Sequence, residues 1–145
     1  MARAEASLVI NCPVDKVFAY LADIPRGTEW QSELVEVQLT SSGPVGVGTT
    51  IREVRRFLGR NLETAFTITE YEPDCRLGFE STSGLIPMRA FYSLEGTGDG
   101  AKVTLAVEAE LTGVFKMTEP LVVNSAKRQM DADIARLKEI LEAGS

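Results

Sequence analysis

Glu53 and Arg55 are the residues of this chain best placed to do chemistry, because an extended strand would carry both to one face among apolar neighbours. Gly59-Arg60 fits a two-residue hairpin turn with glycine at its first position. That turn sets Phe57 opposite Leu62, Arg55 opposite Thr64, Glu53 opposite Phe66 and Ile51 opposite Ile68. The apolar members then share the inward face, and Arg56 meets Glu63 on the outer one. A carboxylate and a guanidinium facing an apolar interior are costly unless paired, hydrated or used. Two readings stand side by side. In one, this strand end lies at a cavity mouth and both side chains reach water. In the other, Arg55 binds a carboxylate, enolate or carbonyl oxygen of a ligand, while Glu53 orients it or acts as a base.

Absences narrow the chemistry further. The 145 residues contain no histidine, which removes the commonest general base, the usual catalytic triads and almost every transition-metal site. Cys12 and Cys75 have no CxxC spacing and are read as two separate reduced thiols. No metal and no cofactor are expected. A formal charge of -6 leaves no broad basic surface for phosphates, so nucleic acid and anionic membranes are poor partners. Ser41-Ser42-Gly43-Pro44-Val45-Gly46-Val47-Gly48 is a turn-forming loop and not a phosphate cradle, since it has no lysine and no strand and helix to frame it. The N-terminus lacks an apolar leader and no window reaches membrane-spanning length, so a cytoplasmic protein with no stable membrane insertion is expected.

The elements that must position Glu53 and Arg55 follow from periodicity. Ala4, Ala6, Leu8 and Ile10 alternate as in a half-buried strand; after Pro13, Val14, Val17, Phe18 and Leu21 repeat at helical spacing. Asp23-Ile24-Pro25-Arg26-Gly27 breaks that helix, and Thr28-Glu29-Trp30 forms one further turn that places the sole Trp before the next strand. Val35, Val37 and Leu39 mark that strand, followed by the hairpin strands around Gly59. Leu77 and Phe79 then begin another. Met88, Ala90, Tyr92 and Leu94 alternate along the next, and Val103, Leu105, Val107, Ala109 and Leu111 along the last.

Thr118 to Glu142 reads as a helix of roughly 35 Å, with Thr118 as N-cap and Glu119 in the first turn. Val123, Ala126, Met130, Ile134, Leu137 and Leu141 form its apolar stripe, and Asp131, Asp133, Arg136, Lys138 and Glu139 fall on the wetted sides. Ala126 and Met130 are small or flexible where a filled core would use Leu or Phe, which points to open space beneath them. Met88, Met117 and Met130 are adaptable apolar surface. Across that space, Trp30, Phe57, Phe66, Phe79 and Tyr92 are the aromatic candidates for a cavity wall. One α+β domain spanning residues 1–145 is expected, in β-α-α-β6-α order, with a curved antiparallel seven-stranded sheet wrapped around the C-terminal helix.

The stretch Pro13-Val-Asp-Lys-Val-Phe-Ala-Tyr-Leu-Ala-Asp23, the Glu29-Trp30 that follows, the Val47-Gly48-Thr49 strand entry and the terminal helix together resemble the helix-grip (START-like, SRPBCC) superfamily. Within it they are most similar to the polyketide cyclase/dehydrase-like branch. The resemblance covers nearly the whole chain. It implies a hydrophobic ligand held between sheet and helix, and leaves the chemistry open, because relatives include carriers, receptors, cyclases and chaperone regulators. Three functions follow in order. The first is binding or carriage of a small hydrophobic ligand, lipid or polyketide, at Trp30, Glu53, Arg55, Phe57, Phe66, Phe79, Tyr92, Ala126 and Met130. The second is a cofactor-independent polyketide cyclase or dehydratase. The third is a protein-interaction module, against which the outward Arg52, Arg56, Glu63 and Glu108 argue. A homodimer is compatible with each.

Overall fold

The computed structural model describes residues 1–144, whose strands form a seven-stranded antiparallel sheet in the order β1-β7-β6-β5-β4-β3-β2. β1 (Ala2–Ile10) lies at one edge and β2 (Leu34–Leu39) at the other. Between those two strands the chain crosses the sheet through α1 (Val14–Ala22), a 3-10 turn (Ile24–Arg26) and α2 (Gly27–Trp30). From β2 onward it is a meander: β3 (Thr50–Phe57), β4 (Arg60–Glu72), β5 (Arg76–Ser83), β6 (Met88–Thr97) and β7 (Gly100–Ala109). α3 (Gly113–Met117) and the 25-residue α4 (Glu119–Ala143) complete it, with α4 packed most extensively on β1. The expected element order holds, with the 3-10 turn and α3 added to it.

The alternation reads directly into burial. Ala2, Ala4, Ala6 and Ile10 of β1 are buried, and so are Val103 and Leu105 of β7, which join Leu77, Ile68, Ile134 and Leu137 in the main core. Small alanines along β1 let the helix backbone approach that edge closely. On the far face, Arg52 bonds Glu36 at 2.8 Å and Glu63 at 3.0 Å, ion pairs that stay exposed and add little stability.

Four local expectations are corrected. The β3–β4 turn is Leu58-Gly59, with φ of 51° and 78°, so Phe57 pairs with Arg60, Arg55 with Leu62, Glu53 with Thr64 and Ile51 with Phe66. The pairing has slipped by two positions, which preserves the side-chain parity: Glu53 and Arg55 stay on the inward face, while Arg52 and not Arg56 takes Glu63. In β2 an irregularity between Leu34 and Glu36 turns Val35 outward and leaves Leu34 buried, and Leu39 is exposed at this edge. Thr118 occupies the N-cap position of α4, but its hydroxyl donates backwards to the Val114 carbonyl at 2.7 Å, so it does not cap. Finally, Asp133 is buried and Val122 lies deeper than Val123, because the sheet-facing stripe of α4 runs through Val122, Ala126, Met130, Asp133 and Leu137.

Candidate functional site

The curl of the sheet leaves a cavity of about 400 Å³ between its inward face and α4. Inward alternation on β3, β4, β5 and β6 supplies Ile51, Phe57, Phe66, Phe79 and Tyr92 to its wall; α2 supplies Trp30, and α4 supplies Ala126 and Met130. Glu53 and Arg55 line the same space. The site residues expected from the sequence are thus brought to one cavity. Of the methionines grouped as adaptable, Met88 and Met130 line it, whereas Met117 is 84% exposed on α3 and takes no part. Leu58, 44% exposed at the β3–β4 turn, also lines the cavity, which therefore opens to solvent there.

The aromatic side chains are arranged around Tyr92. Its ring lies 5.7 Å from Phe79 at 80° and 5.9 Å from Trp30 at 58°, near the edge-to-face arrangement that aromatic quadrupoles favour. Trp30, the last residue of α2, is buried. The Tyr92 hydroxyl receives no hydrogen bond from the described residues. Burial pushes its pKa well above the ordinary tyrosine range, with Glu53 and Asp133 adding to the shift and Arg55 opposing it, so the group is a neutral donor.

Arg55 is the charged centre. Its Nε donates to Glu53 Oε2 at 3.1 Å, and its Nη2 donates to Gln31 Oε1 at 2.5 Å and to Glu53 Oε1 at 3.4 Å. The Arg55 and Glu53 side chains are 29% and 14% exposed, so the pair is largely withdrawn from water. Burial works against the Arg55 charge, but the attraction and hydrogen bonds of Glu53, with Tyr92 and Asp133 behind it, more than offset this, and its pKa rises. Glu53 and Arg55 thus contact each other, and Nη1 makes no hydrogen bond to the described residues.

Asp133 enters from the opposite side. Its Oδ1 accepts from the Ser32 backbone N–H at 3.2 Å and from Gln129 Nε2 at 2.9 Å, and Gln129 also reaches Ser32 Oγ at 2.6 Å. Burial raises the Asp133 pKa, partly countered by the hydrogen bonds from Ser32 and Gln129 and by the Arg55 charge. Sequence reasoning missed Asp133, Gln31 and Gln129. For Asp133 a signal existed, since it lies three residues after Met130 and four before Leu137, on the stripe itself. Gln31 and Gln129 offer none, because amides on a loop and on a helix flank look the same whether wet or buried. Among the described residues, no cluster of three or more Cys, Asp or Glu side chains gathers at metal-binding spacing.

A curled antiparallel sheet closed by a long C-terminal helix over an apolar cavity defines a helix-grip, START-like fold. The chain belongs to the polyketide cyclase/dehydrase and lipid transport family, whose model matches residues 1–142. Among solved structures it is similar to TTHA0849 from Thermus thermophilus, with 20% identity, 99% of each chain covered and a TM-score of 0.86. A START superfamily protein from Mycobacterium smegmatis shares 11% identity over all of both chains, with a TM-score of 0.83. The Zhui aromatase/cyclase from Streptomyces sp. R1128 shares 13% identity over 97% of this chain and 93% of its own, with a TM-score of 0.78. At these identities the likeness is one of fold. Comparison with curated proteins gives no match. No described helix is long and apolar enough to cross a membrane.

Proposed function

We propose that this protein binds and carries a small hydrophobic molecule with one oxygen-bearing handle, held between sheet and α4 with the handle toward Arg55. The observation that carries the reading is the cavity itself: about 400 Å³ of mostly apolar space, within the size range of small-molecule sites, with a charged donor built into one wall. Glu53 and Gln31 fix the guanidinium plane without consuming Nη1, so a ligand oxygen meets a preorganised donor. Family membership supports a hydrophobic occupant.

A second reading is a cofactor-independent cyclase or dehydratase. It is favoured by the grouping of Arg55, the Tyr92 hydroxyl and Asp133 around one space, which offers an oxyanion stabiliser, a phenol and a carboxyl group in a protein without histidine. The carrier reading leads, because both oxygens of Glu53, the carboxylate beside Arg55, are engaged by that guanidinium.

Native mass spectrometry of protein purified from its own source, followed by extraction of the bound molecule, tests the proposal. A hydrophobic compound with an oxygen function is expected. Protein that is empty as isolated and gives no saturable fluorescence with the neutral probe N-phenyl-1-naphthylamine would remove it.

A further inference from the structure

All hydrogen bonds to Asp133 arrive at one oxygen. Oδ1 serves the Ser32 backbone, the Ser32 hydroxyl at 3.5 Å and Gln129; Oδ2 receives none from the described residues. Yet no side-chain oxygen or nitrogen among the described residues is both sealed off and unbonded. Oδ2 therefore borders accessible space, and the space that Asp133 lines is the cavity. Asp133 makes no ion pair with Arg55, although each feels the other's charge. The charged residues of the lining are Glu33, Glu53 and Asp133 against Arg55 and Arg56, an excess of acid.

We propose that Asp133 is a specificity-determining residue that makes the cavity take a neutral hydroxyl-bearing hydrophobic molecule, an alcohol or phenol, over its carboxylate counterpart. This deepens the ligand-binding reading above and rests on it. A hydroxyl both donates and accepts, so it can accept from Arg55 Nη1 or the Tyr92 hydroxyl while donating to Asp133 Oδ2. A carboxylate can only accept. It finds Arg55 already neutralised by Glu53 and sets a second anion against Oδ2 in a poorly screened interior. The Gln129 and Ser32 contacts hold Asp133 in this position, so its Oδ2 cannot turn away without breaking them.

Displacement of N-phenyl-1-naphthylamine by 1-dodecanol, dodecanoate and dodecylammonium at pH 8 tests this. The wild-type protein should take dodecanol at a concentration at least about tenfold below dodecanoate, and dodecylammonium below dodecanoate as well. Simple desolvation disfavours both ions, so a wild-type protein that binds dodecanoate as well as or better than dodecylammonium overturns the proposal without any variant. Asp133→Asn, which keeps Oδ1 and the side-chain volume, should narrow the alcohol-to-carboxylate ratio by about tenfold; an unchanged ratio in the folded variant also overturns it. Failure of the wild-type protein to take up N-phenyl-1-naphthylamine or any competitor overturns the ligand-binding reading and this inference with it, whereas uptake with the carboxylate preferred overturns the role of Asp133 alone.

Discussion

The Ser32 backbone N–H donates to Asp133 Oδ1 at 3.2 Å, a contact between residues 101 apart that ties the segment after α2 to the middle of α4. Because burial raises the Asp133 pKa above its ordinary value of 3.8, the folded state holds that proton more tightly than the unfolded chain does. Stability must then fall as pH rises from about 3.8 through the raised folded value, and stay at that lower level above it. Asp133→Asn cannot titrate. Its stability relative to wild type should therefore increase across the same window, as urea denaturation at a series of pH values would show. Asp133→Ala instead leaves the Ser32 N–H without its acceptor and Gln129 with Ser32 Oγ alone, and should cost about 1–3 kcal/mol. An Asn variant whose stability tracks wild type at every pH would mean that the carboxylate is not burdened by burial.

Arg55 holds Gln31 as well as Glu53, so its removal should be felt in both the ligand and the fold. Arg55→Met retains the apolar stem but strands the Glu53 carboxylate, which is only 14% exposed. We expect a stability loss of about 1–3 kcal/mol. In the folded fraction, 1-dodecanol should lose more affinity than dodecane of the same chain length, since only the alcohol accepts a hydrogen bond. Competition titrations that show equal losses would assign Arg55 to packing.

The turn between β3 and β4 offers a stabilising substitution. Leu58 sits at φ 51° ahead of Gly59 at φ 78°, the backbone of a two-residue turn in which both positions are left-handed. A leucine is poorly suited to that region, whereas asparagine enters it readily. Leu58→Asn should raise stability by about 0.5–1 kcal/mol, seen as a higher denaturation midpoint with an unchanged slope. Gly59→Ala should do the reverse, because its φ is equally unsuited to a Cβ. A destabilised Leu58→Asn protein would show that Leu58, at the cavity opening, contributes more by packing than it costs in backbone strain.

That same turn shows what was legible in the sequence and what was not. A glycine next to a polar residue suggested Gly59-Arg60; a leucine in a left-handed position carries no sequence signal, so the turn was placed one residue late and the pairing two positions out. The inward face survived because a slip of two preserves alternation. Periodicity likewise located the strands, α1 and α4, since burial of one face dictates residue type every second or every third and fourth position. It failed at Asp133, where a charged residue on an apolar stripe was assigned to water by type, although its position put it inward. Gln31 was beyond reach, since its contact with Arg55 is made by tertiary placement of the α2–β2 connection.

Ala126 tests the cavity most directly. It lies one turn before Met130 on the inward stripe of α4, is half-buried, and lines the same cavity as Phe66 and Tyr92. In a filled core, Ala126→Phe would overpack and cost typically about 1–3 kcal/mol. Over about 400 Å³ of open volume the ring has somewhere to go, and it removes apolar surface from accessible space as it enters. The melting temperature should therefore stay within a few degrees of wild type or rise, while saturable uptake of N-phenyl-1-naphthylamine is lost because the ring takes the probe's volume. Ala126→Ser, which adds a single oxygen atom and fills almost nothing, should keep the uptake and so separates occupancy from a general disturbance of α4. A large fall in melting temperature for the Phe variant, with probe binding by the remaining folded protein undiminished, would place Ala126 in a packed core and detach the ligand site from this part of the helix.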